Sequence, residues 1–141
     1  MTEGLQVFAH NGPGYRPLVY GQDWMVALLN YEDIMDVGEA HDIERHLQTD
    51  EVFILLRGRA AFYLAVDYGP LQVLEMQPGV VYNVTRGTWH NLLATREAAF
   101  AIVERRDTDL TDTHIRPLSE QERQSMLEQL PAWLSAGGQE G

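Results

Sequence analysis

The sequence predicts an all-β protein, a sandwich or barrel, followed by one α-helix. Short strand-like runs rich in Val, Ile, Leu, Phe and Tyr recur at a spacing of about ten residues. Turn-forming residues separate these runs, as at Arg57-Gly58-Arg59, Gln77-Pro78-Gly79 and Arg86-Gly87. This combination is typical of antiparallel sandwiches and barrels. A change of character near residue 117 predicts the helix.

The composition is that of an ordinary globular chain. The 141 residues are 45% hydrophobic and 22% charged, which predicts one domain with its own core and argues against disorder. The net charge of −11 disfavours nucleic acid and anionic membranes as partners, since both are bound by clustered Lys and Arg. The sequence contains no Cys, so disulfides and thiolate chemistry are excluded, and a metal would need His, Asp or Glu.

The first residues carry neither a basic nor an apolar segment, and no apolar run is long enough to span a bilayer. We therefore expect a cytoplasmic protein.

The barrel is predicted to run from about Leu5 to about Arg116. A turn at 11–14 precedes two extended runs, 18–20 and 24–31. The second run could also be a buried helix, but its short length and turn-bounded start favour a strand. The remaining predicted strands are 51–56, 60–66, 71–76, 80–84, 91–94 and 99–104.

The C-terminal helix is predicted to begin near Ser119. Ser119 and Glu122 form a capping-box pattern, and Pro131 should end or kink the helix. The predicted division is therefore a barrel over 1–118 and a helix with its tail over 119–141. We expect Trp133 and Leu134 to pack on the barrel or on a second subunit.

Candidate chemistry is concentrated between Gly38 and Gly58. Glu44 and His46 lie two apart and so share one face of a strand. Glu51 differs from His46 in parity, and it joins them only if residues 47–50 make a turn or bulge. Phe53 and Leu55 share the face of Glu51, whereas the opposite face of that strand is also apolar, which predicts packing on both sides. Further along, the turn at Gly87 should deliver His90 at the start of a strand.

At these two segments the sequence resembles the cupin superfamily, in particular small single-domain bacterial cupins. The first cupin motif reads Gly, five residues, His-x-His, three or four residues, Glu, six residues, Gly. The matching residues are Gly38, His46, Glu51 and Gly58, with Glu44 at the position of the first His. In the second motif Gly79, Gly87 and His90 match, while Thr85 replaces a Pro and Ala94 replaces an Asn. The resemblance covers residues 38–94 and implies a jelly-roll β-barrel.

The resemblance also implies one divalent metal inside the barrel. The ligands carried over are His46, Glu51 and His90, with Glu44 beside them. Imidazole and carboxylate donors suit manganese, iron, nickel or zinc. Such a site leaves coordination positions for water or a substrate.

Each of these residues also has a simpler interpretation. His46 and His90 could line a metal-free barrel and bind a small ligand or each other, and Glu51 could pair with Arg45 or Arg57. His10, His41 and His114 are predicted in exposed or loop-like stretches. Glu104, at the end of an apolar strand, is the candidate general base, but it could instead pair with Arg105 or Arg106.

Three functions follow from the resemblance. The first is a metal-dependent enzyme (a lyase, isomerase or dioxygenase) acting on a small polar metabolite such as a sugar acid, keto acid or ureide. The second is a non-catalytic, metal-free cupin that binds a small sugar or anion, and the third is a structural partner domain. A homodimer is predicted, with the N-terminal strands and the Trp133-Leu134 segment as candidates for its interface.

Overall fold

A computed structural model describes residues 3–108, 112–135 and 138–139. Within this part, two five-stranded antiparallel sheets pack against each other, and one α-helix follows them. The all-β prediction is therefore confirmed. No helix in the described residues has both the length and the apolar character needed to cross a membrane.

The first sheet, sheet A, has the strand order β1-β2-β9-β4-β7, and sheet B has the order β10-β3-β8-β5-β6. The strands are β1 Tyr15–Tyr20, β2 Trp24–Asn30, β3 Asp42–His46, β4 Glu51–Arg57, β5 Ala60–Ala65, β6 Gln72–Glu75, β7 Val81–Val84, β8 Trp89–Ala94, β9 Ala99–Arg105 and β10 Thr113–Pro117. The helix α1 spans Glu120–Glu128, and β11 Leu134–Ser135 pairs with β12 Gly138–Gln139. Two short 3-10 turns, Asp33–Met35 and Val37–Glu39, lie between β2 and β3.

The main core lies between the two sheets. It is built mainly from alternate residues of β2, β4, β5, β8 and β9, and its largest members include Phe53, Phe62, Phe100, Leu92 and Ile102. A second core covers the outer face of sheet B, where α1 and the following segment pack over it. That core contains Ile43, Tyr63, Leu93, Met126 and Leu134. Sheet B is therefore covered on both faces by its own chain.

The outer face of sheet A differs from that of sheet B. Val52 and Ile54 on β4 are half-buried, and Leu56 is 52% exposed. Within a single chain, only the inner face of β4, with Glu51, Phe53 and Leu55, is buried, so packing on its outer face stays a prediction.

Most strands lie where the sequence places them, with two differences. The run at 24–31 forms the strand β2, so the alternative prediction of a buried helix there is wrong. However, the first strand begins at Tyr15 and not near Leu5, because the Asn11-Gly12-Pro13-Gly14 turn precedes it and residues 3–9 are exposed without a ladder partner among the described residues. In addition, the polar stretch around His114 forms β10, which pairs with β3.

The helix begins as its capping box predicts. Ser119 is the N-cap, its hydroxyl accepts from the Glu122 amide, and the Glu122 carboxylate accepts from the Ser119 amide. Glu122 also accepts two hydrogen bonds from the Arg116 guanidinium, at 2.7 and 2.9 Å. Beyond the helix, Leu134 is buried in the second core, so the segment after Pro131 packs on its own barrel.

The Arg116–Glu122 pair should make stability depend on pH. The hydrogen bond from Arg116 lowers the pKa of Glu122 from 4.5 to about 2. Because the folded pKa is lowered, the contribution of the pair is complete above pH 4.5 and is lost as the pH falls towards 2. Glu122→Gln keeps the capping box but removes the charge. It should lower the free energy of unfolding in urea by about 1 kcal/mol at neutral pH, and by nothing at a pH where Glu122 is already protonated.

The exposed Glu97 provides the control, since Glu97→Gln removes the same charge from a turn. If Glu122→Gln lowers the free energy of unfolding by the same amount across this range of pH, the ion pair contributes nothing to stability.

Candidate metal centre

Three strands bring His46, Glu51 and His90 together inside the barrel. His46 ends β3, Glu51 begins β4 and His90 is the second residue of β8. The three residues are buried, with exposures of 4%, 6% and 3%. Residues 47–50 connect sheet B to sheet A. His46 and Glu51 therefore lie on different sheets, and both can face the interior although their positions differ in parity.

Both imidazoles converge on one carboxylate oxygen. The Nε2 atoms of His46 and His90 lie 3.1 and 2.9 Å from Glu51 Oε1. The donor atoms of the three residues all lie within 4.8 Å of one another. This is the only such group of three or more in the described residues.

The outer nitrogens of the imidazoles also have partners. His90 Nδ1 lies 2.9 Å from the carbonyl oxygen of Thr88, and His46 Nδ1 lies 3.3 Å from the Thr113 hydroxyl. A carbonyl only accepts, so His90 Nδ1 carries a proton. Its Nε2 then faces the Glu51 carboxylate either with a second proton or with a lone pair directed at a cation.

The electrostatics of the group agree with this arrangement. Burial alone would lower the pKa of His46, but the hydrogen bond and charge of Glu51 outweigh it and raise the pKa to about 9. The pKa of His90 is likewise raised, because Glu51 outweighs the effect of burial. Burial would raise the pKa of Glu51, yet the bonds from both imidazoles hold it at about 2. The carboxylate therefore requires positive charge around it, from protons or from a metal ion.

These residues fit a divalent metal. Two ligands at right angles around an ion, each about 2.1 Å from it, are about 3 Å apart. The separations of 2.9 and 3.1 Å between Glu51 Oε1 and the two Nε2 atoms match that spacing. The outer hydrogen bond of His90 fixes the tautomer that leaves Nε2 available as a ligand. The three residues could therefore hold a metal.

Hydrogen bonds join the two motif segments independently of the three ligands. The amide of Gly87 donates to the carbonyl of His46 at 2.7 Å. Asp50 accepts from the Asn83 side chain at 3.0 Å and from the Arg86 amide at 2.8 Å. These contacts hold the start of β4 beside the turn that leads into β8, so they help to position the strands that carry Glu51 and His90.

Glu44 lies beside the three residues and not within their donor group. Its Cα pairs with that of His90 across β3 and β8, and its side chain lines the same cavity. Its charge contributes to the raised pKa of both histidines. The structure therefore places Glu44 in the surroundings of the centre, as a neighbour of its ligands.

Glu104 is buried next to Glu51, since the two residues are cross-strand partners on β4 and β9. The Tyr15 hydroxyl donates to Glu104 Oε1 at 2.7 Å, and Tyr15 itself lines the cavity. The sequence did not indicate Tyr15, because only the pairing of β1 through β2 to β9 brings it close to Glu104.

The arginines near Glu51 and Glu104 in the sequence bond to other groups. The Arg45 guanidinium lies over the Trp89 ring, and Arg57 donates to the Glu97 carbonyl, whereas Glu51 contacts the histidines. The side chains of Arg105 and Arg106 bond to Gln48 and to the carbonyl of Gly21. His41 and His114 are exposed, and the half-buried His10 donates to the carbonyl of Gly14.

The donor group opens into a cavity of about 250 Å³. Its lining includes four polar residues besides the three candidate ligands: Tyr15, Glu32, Glu44 and Asn91. The remaining lining residues are apolar: Leu29, Ile34, Met35, Phe53, Leu92 and Ile102. The cavity can therefore receive a small molecule that has both polar and apolar groups.

Comparison with known proteins gives matches among solved structures alone. No protein-family model and no curated protein matches the chain. A cupin-2 domain protein from Shewanella frigidimarina is similar with a TM-score of 0.50 and 25% identity, over 69% of this chain and 85% of that chain.

Two further structures are similar in fold. A protein from Bacillus halodurans has a TM-score of 0.54 and 20% identity, over 73% of this chain and 83% of that one. The Streptomyces nucleoside dehydratase Pac13 has a TM-score of 0.54 and 13% identity, over 79% and 86%. Since the similar folds include a cupin-2 domain and the motif residues meet inside the barrel, the chain is a member of the cupin superfamily.

Proposed function

We propose that the protein holds one divalent metal ion on His46, Glu51 and His90 and binds or transforms a small polar metabolite beside it. The observation that carries this proposal is the convergence of two buried Nε2 atoms on one buried carboxylate oxygen. A buried carboxylate needs compensating charge, and a divalent ion supplies it while leaving both imidazoles neutral. A set of two imidazoles and one carboxylate suits manganese, iron, nickel or zinc.

When bound, such an ion polarises a substrate oxygen or lowers the pKa of a water molecule. The chain contributes the cavity that orients the substrate, with Tyr15 in its lining. The Tyr15 hydroxyl donates to Glu104 at 2.7 Å, so we propose that Glu104 acts through Tyr15 by orienting this hydroxyl. In this role Glu104 is a positioning residue and not the direct base.

The test of the metal proposal is elemental analysis. Untagged protein, expressed in medium supplemented with manganese, iron, nickel and zinc, should contain close to one equivalent of one of these metals per chain. Protein that carries only background metal after this treatment would refute the proposal.

That outcome would favour the metal-free alternative, a binding protein for a small sugar. The hydrogen bonds from both imidazoles to Glu51 support this second candidate, since two protonated histidines can neutralise the carboxylate without an ion. Glu44 at the position of the first motif histidine supports it too.

We also propose a homodimer formed through the outer face of sheet A. Apolar residues run across its strands in register, with Val26, Val103 and Val52 in one row. None of the outward-facing positions on β1, β2, β4, β7 and β9 is Asp or Glu, although the chain has 21 such residues and a net charge of −11. Two copies of so acidic a chain repel each other, and this carboxylate-free face is where they can approach.

Light scattering at micromolar concentration should therefore give the mass of a dimer. Val103→Asp, in the central strand β9, should produce a monomer because it buries a charge in the contact. Ile115→Asp is the matched control, since Ile115 is 66% exposed on β10 of the other sheet. A monomeric wild type, or a dimer that survives Val103→Asp with an unchanged melting temperature, would refute this interface.

A further inference from the structure

The charged side chains around the cavity beside His46, Glu51 and His90 limit which ligands it can bind. Glu32, Glu44 and Glu51 line it, and Glu104 adjoins Glu51 across β4 and β9. A divalent ion at the centre would bring two positive charges. The described residues that line the cavity add three carboxyl groups and no guanidinium, so the lining itself is not cationic.

The arginines of the chain lie elsewhere. The chain has no lysine, and all ten of its basic side chains are arginines within the described residues. Arg45 and Arg116 lie over the Trp89 ring at 4.5 and 4.7 Å, and Arg123 donates to the carbonyls of Val37 and Ala40.

The other seven arginines are exposed on the surface. Arg96, the one among them that approaches the same end of the cavity, lies 5.7 Å from the centre of the Tyr31 ring in a neighbouring depression. None of the ten lines the cavity. An anionic ligand would therefore find no guanidinium to pair with.

Carboxylates accept hydrogen bonds and donate none when ionised. A ligand that contacts Glu32 and Glu44 must bring the donors itself, as hydroxyl, amide or amine groups. One more negative charge would instead be repelled by the carboxyl groups of this lining.

We infer that this cavity takes a ligand that donates hydrogen bonds and carries no negative charge, such as a polyhydroxylated or amide compound, and that it rejects carboxylates and phosphates. This inference rests on the proposed function for the position of the metal centre. It narrows the ligand class by excluding sugar acids and keto acids and leaving neutral polar compounds.

The test uses the protein loaded with Co²⁺, whose visible spectrum reports a new ligand on the ion. Oxalate is the anionic probe and imidazole the neutral one. Four proteins are compared: wild type, Glu44→Gln, Glu32→Gln and, as a control for charge alone, Glu97→Gln in an exposed turn.

Each cavity variant should tighten oxalate binding at least tenfold, because one unit charge roughly 10 Å from each of the two carboxylates of oxalate exerts more than this at an effective dielectric of 20. Imidazole binding should change less than twofold, and Glu97→Gln should behave as wild type. Equal oxalate affinities in all four proteins would overturn the inference.

Cobalt content is measured first in every sample, so the two proposals fail separately. Wild-type protein that takes up no cobalt here and none of the four metals in the elemental analysis refutes the metal centre. The charge inference is then decided on metal-free protein, by the rise in melting temperature with oxalate. A larger rise in Glu44→Gln and Glu32→Gln than in wild type supports it, and equal rises refute it.

Discussion

Replacing His90 with alanine should reduce the metal content from about one equivalent per chain to background. The substitution leaves one imidazole and one carboxylate, and two ligands do not compete with water for a divalent ion at micromolar concentration. His46→Ala should have the same effect, because its Nε2 approaches the same Glu51 oxygen. The measurement is elemental analysis after dialysis against the metal.

The matched control is His114→Ala, which removes an exposed imidazole from β10. Its metal content should equal that of wild type. All three variants should unfold cooperatively, since the apolar residues of the core between the sheets stay unchanged in each of them. One equivalent of metal retained by His90→Ala would show that the ion lies elsewhere.

Gly58→Ala should lower the free energy of unfolding by about 3 kcal/mol. Gly58 has a φ of +76°, and a Cβ there would lie 2.7 Å from the Cα and 2.8 Å from the amide nitrogen of Ala98. Those are backbone atoms of the turn before β9, so relief of the clash must move the central strand of sheet A.

Gly79→Ala separates the clash from the backbone strain. Gly79 has a φ of +77°, nearly the same, but nothing lies within 4 Å of the position of its Cβ. Its substitution should therefore cost about 1 kcal/mol, from the left-handed conformation alone. Urea unfolding of the two variants measures the difference, and equal costs would show that the turn before β9 yields to the methyl group.

The strands were predictable where burial imposes alternation. In β4, Glu51, Phe53 and Leu55 face inwards and their neighbours face outwards, and this pattern is visible in the sequence. The edge strand β10 was not predictable, because Thr113, His114, Ile115 and Arg116 include no buried residue and so show no alternation. Its place in the sheet comes from pairing with β3.

The three candidate ligands of the centre could be predicted from the sequence, whereas most of the residues around them could not. The motif spacing indicated His46, Glu51 and His90, which meet in the structure. The contact between Tyr15 and Glu104 joins residues 89 positions apart, and no local pattern reports such a pairing. The charge balance of the cavity likewise depends on which loops face it, and this is a property of the three-dimensional arrangement.

The three candidate ligands come from both sheets, with His46 and His90 on sheet B and Glu51 on sheet A. The ligand set therefore exists only while the two sheets are packed together. In a compact state that kept its strands but lost fixed side-chain packing, the donor atoms would drift apart and high affinity would be lost. Metal affinity would then report the tertiary packing of this barrel, whereas far-ultraviolet circular dichroism would report only its strands.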